Sequence, residues 1–250
     1  MHENRQLECL GLGVSYTSVS LRLPSTFLRK PASSDCPLDP DMLRLPCSLQ
    51  KKEKTMKTKL GAWNCLFPLP AVLIGANVNG KPNYFIDFQI GSMAHMSYIY
   101  VSSNKTVNYT NIGIRENKTF SINIPSVDSA NKTDYCGLVH GNRVDKAALF
   151  QNFYGKLETA PMIEEFPINM ECKLIQTLDI EGHDVFIGEL AETYCDEGCL
   201  VNGMVDFSKV RPILGTTQFK RGKEWSGSYW TLGERFAEMK VAGKEFMHQQ

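Results

Sequence analysis

The chain has 250 residues, 42% hydrophobic and 22% charged, which is an ordinary globular composition. Lys plus Arg number 27 and Asp plus Glu number 27, with no basic stripe, so neither nucleic acid nor another polyanion is an expected partner. The longest uncharged apolar stretch, residues 66–77, holds two prolines and falls short of the roughly 20 residues that a membrane helix needs.

Residues 1–55 carry no sustained period of 2 or 3.6 and no punctuation that frames an element. They end in Lys51-Lys52-Glu53-Lys54, just ahead of Met56. A Lys-Glu pair can be encoded by AAGGAG, which has the form of a bacterial ribosome-binding site. Met56 is therefore expected to be the initiator, with 1–55 a non-native or disordered leader and 56–250 the folded domain. The N-terminus lacks the basic start and apolar run of a signal peptide, so a cytoplasmic location is expected. The sequons at Asn104, Asn108, Asn117 and Asn131 then read as products of an Asn/Lys/Thr-rich composition. The 8 cysteines are irregularly spaced. Cys195 and Cys199 could form half a metal site, but no second pair matches them, and reduced thiols without metal are expected.

From Met56 onward the pattern becomes that of strands. Residues 71–77 form a short apolar run, and Asn79-Gly80 supplies a hairpin turn. Next, Tyr84, Ile86, Phe88 and Ile90 alternate with Phe85, Asp87 and Gln89. Residues 97–102 read as a third strand. Residues 119–124 give a fourth, with Phe120, Ile122 and Ile124 on one face. Residues 168–178 form a long alternating strand, with Met170, Cys172 and Leu174 to one side, and 185–194 form another after the turn-prone Glu181-Gly182. Short helices are predicted over 107–116, 130–135, 146–150 and 207–211. Strands in this number with short helices between them predict an α+β, mainly β domain built on a closed antiparallel barrel.

No P-loop, HExxH or GxSxG occurs, and Gly11-Leu12-Gly13 lacks the third glycine of a dinucleotide fingerprint. The polar stretch Ser102-Ser103-Asn104-Lys105-Thr106, continuing to Asn108-Tyr109-Thr110, follows the third strand and leads into a helix. Hydroxyls, an ammonium and the free N–H groups of a helix start suit a phosphate dianion. A solvated turn of the same composition is the alternative.

Four blocks carry a resemblance. Asp134-Tyr-Cys-Gly-Leu-Val-His-Gly141 with Val144-Asp-Lys146 is one, and Ala160-Pro-Met-Ile-Glu-Glu-Phe-Pro167 with Met170-Glu-Cys-Lys173 is the second. His183-Asp-Val-Phe-Ile-Gly-Glu189 and Tyr229-Trp-Thr-Leu-Gly-Glu234 complete the set. In this order they resemble the motifs of flavoredoxin-type flavin reductases. The resemblance implies an FMN-binding split β-barrel that forms a homodimer, with FMN in grooves between the subunits. It implies a phosphate site at Ser102, Ser103, Asn104, Lys105, Thr106, Asn108 and Thr110, with Asn83 and His95 beside the flavin. It places His183 on the nicotinamide side, and Tyr229 and Trp230 over the flavin edge or against the barrel end. Cys136 lies in a matching block, as a redox thiol or a small core residue. The activity implied is electron transfer from NADH or NADPH through FMN to an acceptor. The alternative is an FMN-containing electron carrier reduced by a partner protein.

Overall fold

The computed structural model describes residues 56–94, 97–219, 225–242 and 244. It divides the chain into two units, Met1–Lys59 and Leu60–Gln250. Of the first, only residues 56–59 are described, and they form no regular element.

The second unit begins with β1 (Leu69–Pro70), β2 (Val72–Val78), β3 (Lys81–Asp87), β4 (Ile90–Ser92) and β5 (Tyr98–Asn104). Helix α1 (Thr110–Asn117) and β6 (Thr119–Ile124) follow, then α2 (Ala130–Leu138). Two short strands, β7 (Asn152–Phe153) and β8 (Met162–Ile163), precede the long hairpin of β9 (Ile168–Ile180) and β10 (His183–Cys195). The unit ends with β11 (Leu200–Val201), β12 (Met204–Val205), the single-turn α3 (Phe207–Val210), β13 (Ile213–Phe219) and β14 (Trp225–Thr231).

Seven strands form one antiparallel sheet in the order β3-β2-β6-β9-β10-β5-β4, and it curls into a split barrel. Two tight turns set its register. Asn79 (φ 51°) and Gly80 (φ 73°) join β2 to β3, and Glu181 (φ 43°) and Gly182 (φ 83°) join β9 to β10. Both central residues of each turn have positive φ, the geometry that matches the twist of paired strands. A second, three-stranded sheet in the order β1-β13-β14 went unpredicted.

At β2 the sheet is buried on both sides. Val72, Ile74 and Ala76 face the barrel interior with Phe85, Val101, Phe120, Ile122, Cys172 and Phe186. Leu73 and Tyr84 point the other way, against Cys136, Phe150, Ile163 and Phe166. That is why β2 reads as an unbroken apolar run and not as an alternation. The predicted sharing of one face by Tyr84, Ile86, Phe88 and Ile90 fails at its last member. The Asp87 carboxylate accepts the N–H groups of Phe88 at 2.8 Å and Gln89 at 3.0 Å, which ends β3. Ile90 then starts β4 on the side of Phe85.

Helix α1 lies tight against β2. A Cβ on Gly113 would collide with the Asn77 carbonyl, so glycine permits the approach, and Ile114 enters the interior core. Glu171 is fully buried on β9. Its carboxylate accepts from the backbone N–H groups of Gly155 at 3.2 Å, Lys156 at 2.9 Å and Leu157 at 2.9 Å, and from the Tyr194 hydroxyl at 3.2 Å. A stretch without regular structure is thereby held from outside itself.

Asp87 is 7% exposed, and its second oxygen finds no hydrogen-bond partner among the described residues. Burial raises its pKa to about 7, against the opposing pull of the two backbone N–H groups. A folded-state pKa above the unfolded one means that the native state binds the extra proton. The contribution of Asp87 to stability is then fully present below about pH 4 and is lost as the pH rises through 7. Urea unfolding at pH 5 and pH 8 should show the wild type losing part of roughly 4 kcal/mol over this window. Asp87→Asn should abolish that loss; an unchanged pH slope in the variant would refute the assignment.

Candidate functional site

The end of β5, the start of α1 and the loop 139–145 after α2 enclose a cleft of about 280 Å³. One wall comes from Lys105, Thr106, Asn108, Tyr109, Asn111 and Arg115, and the other from His140, Asn142 and Arg143. No carboxylate belongs to the lining.

The turn between β5 and α1 is built by its own side chains. Asn104 Oδ1 accepts from Thr106 N at 3.0 Å, Thr106 Oγ1 at 3.0 Å and Val107 N at 3.1 Å, an Asx turn. The Ser103 hydroxyl donates to Asn111 Oδ1 at 2.7 Å and accepts from Asn108 Nδ2 at 2.9 Å. Asn111 Nδ2 in turn donates to Asn104 O at 3.0 Å. These bonds lock the first turn of α1 to the end of β5.

Charge is organised around Asp184, whose side chain is 4% exposed. It accepts from Arg115 and lies 3.9 Å from the Lys105 ammonium, which also pairs with Asp179. The Arg115 guanidinium sits 6.0 Å over the Phe186 ring. Two cations are thus delivered to the cleft on a buried anion and an aromatic face. Arg143 is exposed and has no carboxylate partner among the described residues.

Of the residues predicted from sequence, Lys105, Thr106 and Asn108 line the cleft. Asn104 shapes it through the Asx turn. Ser103 and Thr110 are buried, and their hydroxyls are spent inside the protein, on Asn111 and Asn83 respectively. Ser102 is half-buried on β5, paired with Val185, and lies outside the lining. Asn83 is buried, 6% exposed, and bonds to Thr110 and Gly141. His183 opens β10 opposite Asn104 and is half-buried, outside the lining.

Tyr229 and Trp230 stand on β14, apart from the lining. Tyr229 stacks on Phe88 at 6.2 Å and donates to Asp134 Oδ1 at 2.7 Å. Burial, and then Asp134, pushes its pKa up. Trp230 Nε1 donates to Thr216 Oγ1 at 2.9 Å. Within one chain Trp230 ties β14 to β13 and Tyr229 reaches α2. His95 lies outside the described residues. Cys136 is 1% exposed and its thiol is pushed up to about 11 by burial, the environment of a core residue.

Arg115, Asn142 and Arg143 were not singled out from sequence, although a signal existed for the first. Positions 108, 111, 112 and 115 fall on one helical face by the 3.6-residue period, so a helix starting near 108 aims Arg115 at the same place as Asn108. Arg143 had no periodic signal, because the loop that carries it is placed by contacts distant in sequence.

The curled barrel, the helix seated against it and the cleft at the strand end define the class. Residues 65–213 match the family described as flavin reductase like domain. The chain belongs to that family, in its flavoredoxin type. It is similar to the flavoredoxin of Methanosarcina acetivorans, with 39% identity over 77% of this chain and 100% of that one, at a TM-score of 0.71. The flavoredoxin of Desulfovibrio vulgaris (Miyazaki F) is 33% identical over 75% and 100% of the chains, at 0.66. The FMN-binding protein of Thermus thermophilus, solved with bound p-hydroxybenzaldehyde, is 18% identical over 75% and 99%, at 0.58, a likeness of fold alone. No curated protein sequence matches the chain. Among the described residues no helix is long and apolar enough to cross a membrane.

Replacing Asp184 by Asn keeps the shape and removes the charge that gathers Arg115 and Lys105. Thermal and urea unfolding should show a loss of about 1–3 kcal/mol. High salt should narrow the gap from wild type only in part, because the carboxylate is buried.

Proposed function

We propose that the chain is a flavin-binding oxidoreductase that holds the phosphate of FMN in the cleft between α1 and the loop 139–145. Electrons pass through that cofactor from NADH or NADPH to an acceptor. The observation that carries this reading is the donor set: Lys105, Arg115, Arg143 and the amides of Asn108 and Asn142, with no acid in the lining. Such a set suits a dianion, and the lining holds no acid to repel it. The likeness to two flavoredoxins and to an FMN-binding barrel supports it.

Bound FMN supplies the hydride and electron chemistry. The protein's part is to bind and orient. Arg143, without a carboxylate partner among the described residues, is available to the phosphate. Arg115 and Lys105 add positive potential while Asp184 keeps them in place. Thr106 and Asn108 present polar groups from the turn.

At about 280 Å³ the cleft lies just below the roughly 300–1,000 Å³ of sites that enclose a whole small ligand. The cleft therefore suits the phosphate tail, and a second copy of the chain covers the rest, making a homodimer with FMN at its interface. The distal part of the β9–β10 hairpin presents Ile175, Leu178 and Ile180 as exposed apolar side chains, a surface suited to that second copy. A cytoplasmic location with reduced thiols is part of the same reading.

The purified protein should be yellow, or take up FMN when supplied, with the absorption spectrum of the oxidised cofactor. Anaerobic NADH or NADPH should bleach it at catalytic rates. A colourless protein that fails to take up FMN refutes the proposal. Bleaching by neither nicotinamide, with rapid reduction by a reduced redox protein, replaces the nicotinamide donor by a protein one. Arg143→Ala should weaken FMN binding about tenfold or more, the effect of one lost hydrogen bond to a charged group, and leave thermal stability near wild type.

A further inference from the structure

Asn83 lies at the start of β3, buried beneath the cleft and absent from its lining. Both ends of its amide are engaged. Oδ1 accepts from Thr110 Oγ1 at 2.8 Å, and Nδ2 donates to Gly141 O at 3.3 Å. Thr110 is fully buried and opens α1, the first wall of the cleft. Gly141 stands between His140 and Asn142, the second wall. Among the described residues, this one amide carries the hydrogen bonds that join the two walls.

The packing says the same independently. A Cβ on Gly141 would fall 2.6 Å from Asn83 Nδ2 and closer still to Oδ1, so the loop rests directly on the amide and a larger residue there would displace it. The far end of the loop is also secured. The buried Lys146 ammonium donates to Cys136 O at 2.7 Å, in the last turn of α2, where a cation meets carbonyls that lack helical partners. The loop carrying His140, Asn142 and Arg143 therefore has two fixed points, and the one facing α1 is Asn83.

We infer that Asn83 is a positioning residue: it touches no ligand, sets the separation of the two cleft walls, and thereby tunes the preference for a phosphorylated over an unphosphorylated flavin. This rests on the cleft being the FMN phosphate site. The reasoning is that of any supporting shell, in which groups behind the ligating atoms fix their spacing. Thr110 acts through the same bond, so the two residues form one device.

The test compares FMN with riboflavin, which differs only by the phosphate, using quenching of flavin fluorescence on the full chain. The variants are Asn83→Ala, Thr110→Val and the double variant. Wild type should prefer FMN. Each single variant should lose about tenfold in FMN affinity while riboflavin affinity stays unchanged, and the double variant should be little worse than either alone. Variants that keep the wild-type ratio, or that lose both ligands in step, overturn the inference. Where Asn83→Ala does not fold, the nearly isosteric Thr110→Val decides. A wild-type protein that takes up both flavins equally strikes the cleft reading itself, and this inference with it; that result is distinguishable because it appears before any substitution is made.

Discussion

The close approach of α1 to the barrel governs what the rest of the molecule can do. Gly113 lets the helix backbone meet the Asn77 carbonyl, and Ile114 anchors it among interior side chains from β2, β3, β6 and β10. A helix of only eight residues is marginal by itself and depends on such tertiary support. Once seated, it fixes where Asn108, Asn111 and Arg115 point, and it presents Thr110 to Asn83. The cleft is thus a consequence of core packing, with polar chemistry added at its rim.

Electrostatics at that rim follow a simple economy of partners. Asp184 is buried and would be costly without cations, and Arg115 and Lys105 meet that need while remaining partly exposed. Asp179 takes a share of Lys105 at the surface, where screening by water weakens its hold. Arg143 comes from the opposite wall with no such tie. Among the described residues, the cleft therefore combines two cations fixed in direction with a third, Arg143, that has no carboxylate partner.

Much of the barrel could be read from residue order because its signals are local. Asn79-Gly80 and Glu181-Gly182 mark turns by their need for positive φ, and Thr119–Ile124 alternates cleanly because Phe120 and Ile122 enter one core while Ser121 and Asn123 enter hydrogen bonds on the other side. The site was legible only in part. The stretch 102–110 announced itself by composition, but whether a hydroxyl faces a ligand or the protein depends on partners far away in sequence. Ser103 and Thr110 turned inward for that reason, and Arg143 was invisible until the loop after α2 was brought across from α1. The sheet of β1, β13 and β14 was missed because β1 is a two-residue strand far away in sequence and β13 and β14 lack a strong apolar alternation.

Glu171 has a bearing on how the chain can vary. It holds three consecutive main-chain amides of residues 155–157 with one carboxylate, so the path of that segment is written in β9 and not in the segment's own side chains. Lys156, Leu157 and Glu158 can then change their chemistry without moving the backbone, so long as position 155 stays small enough to clear Tyr194. Drift at the surface there is decoupled from geometry, and the constraint is displaced onto a single acidic residue that solvent never meets.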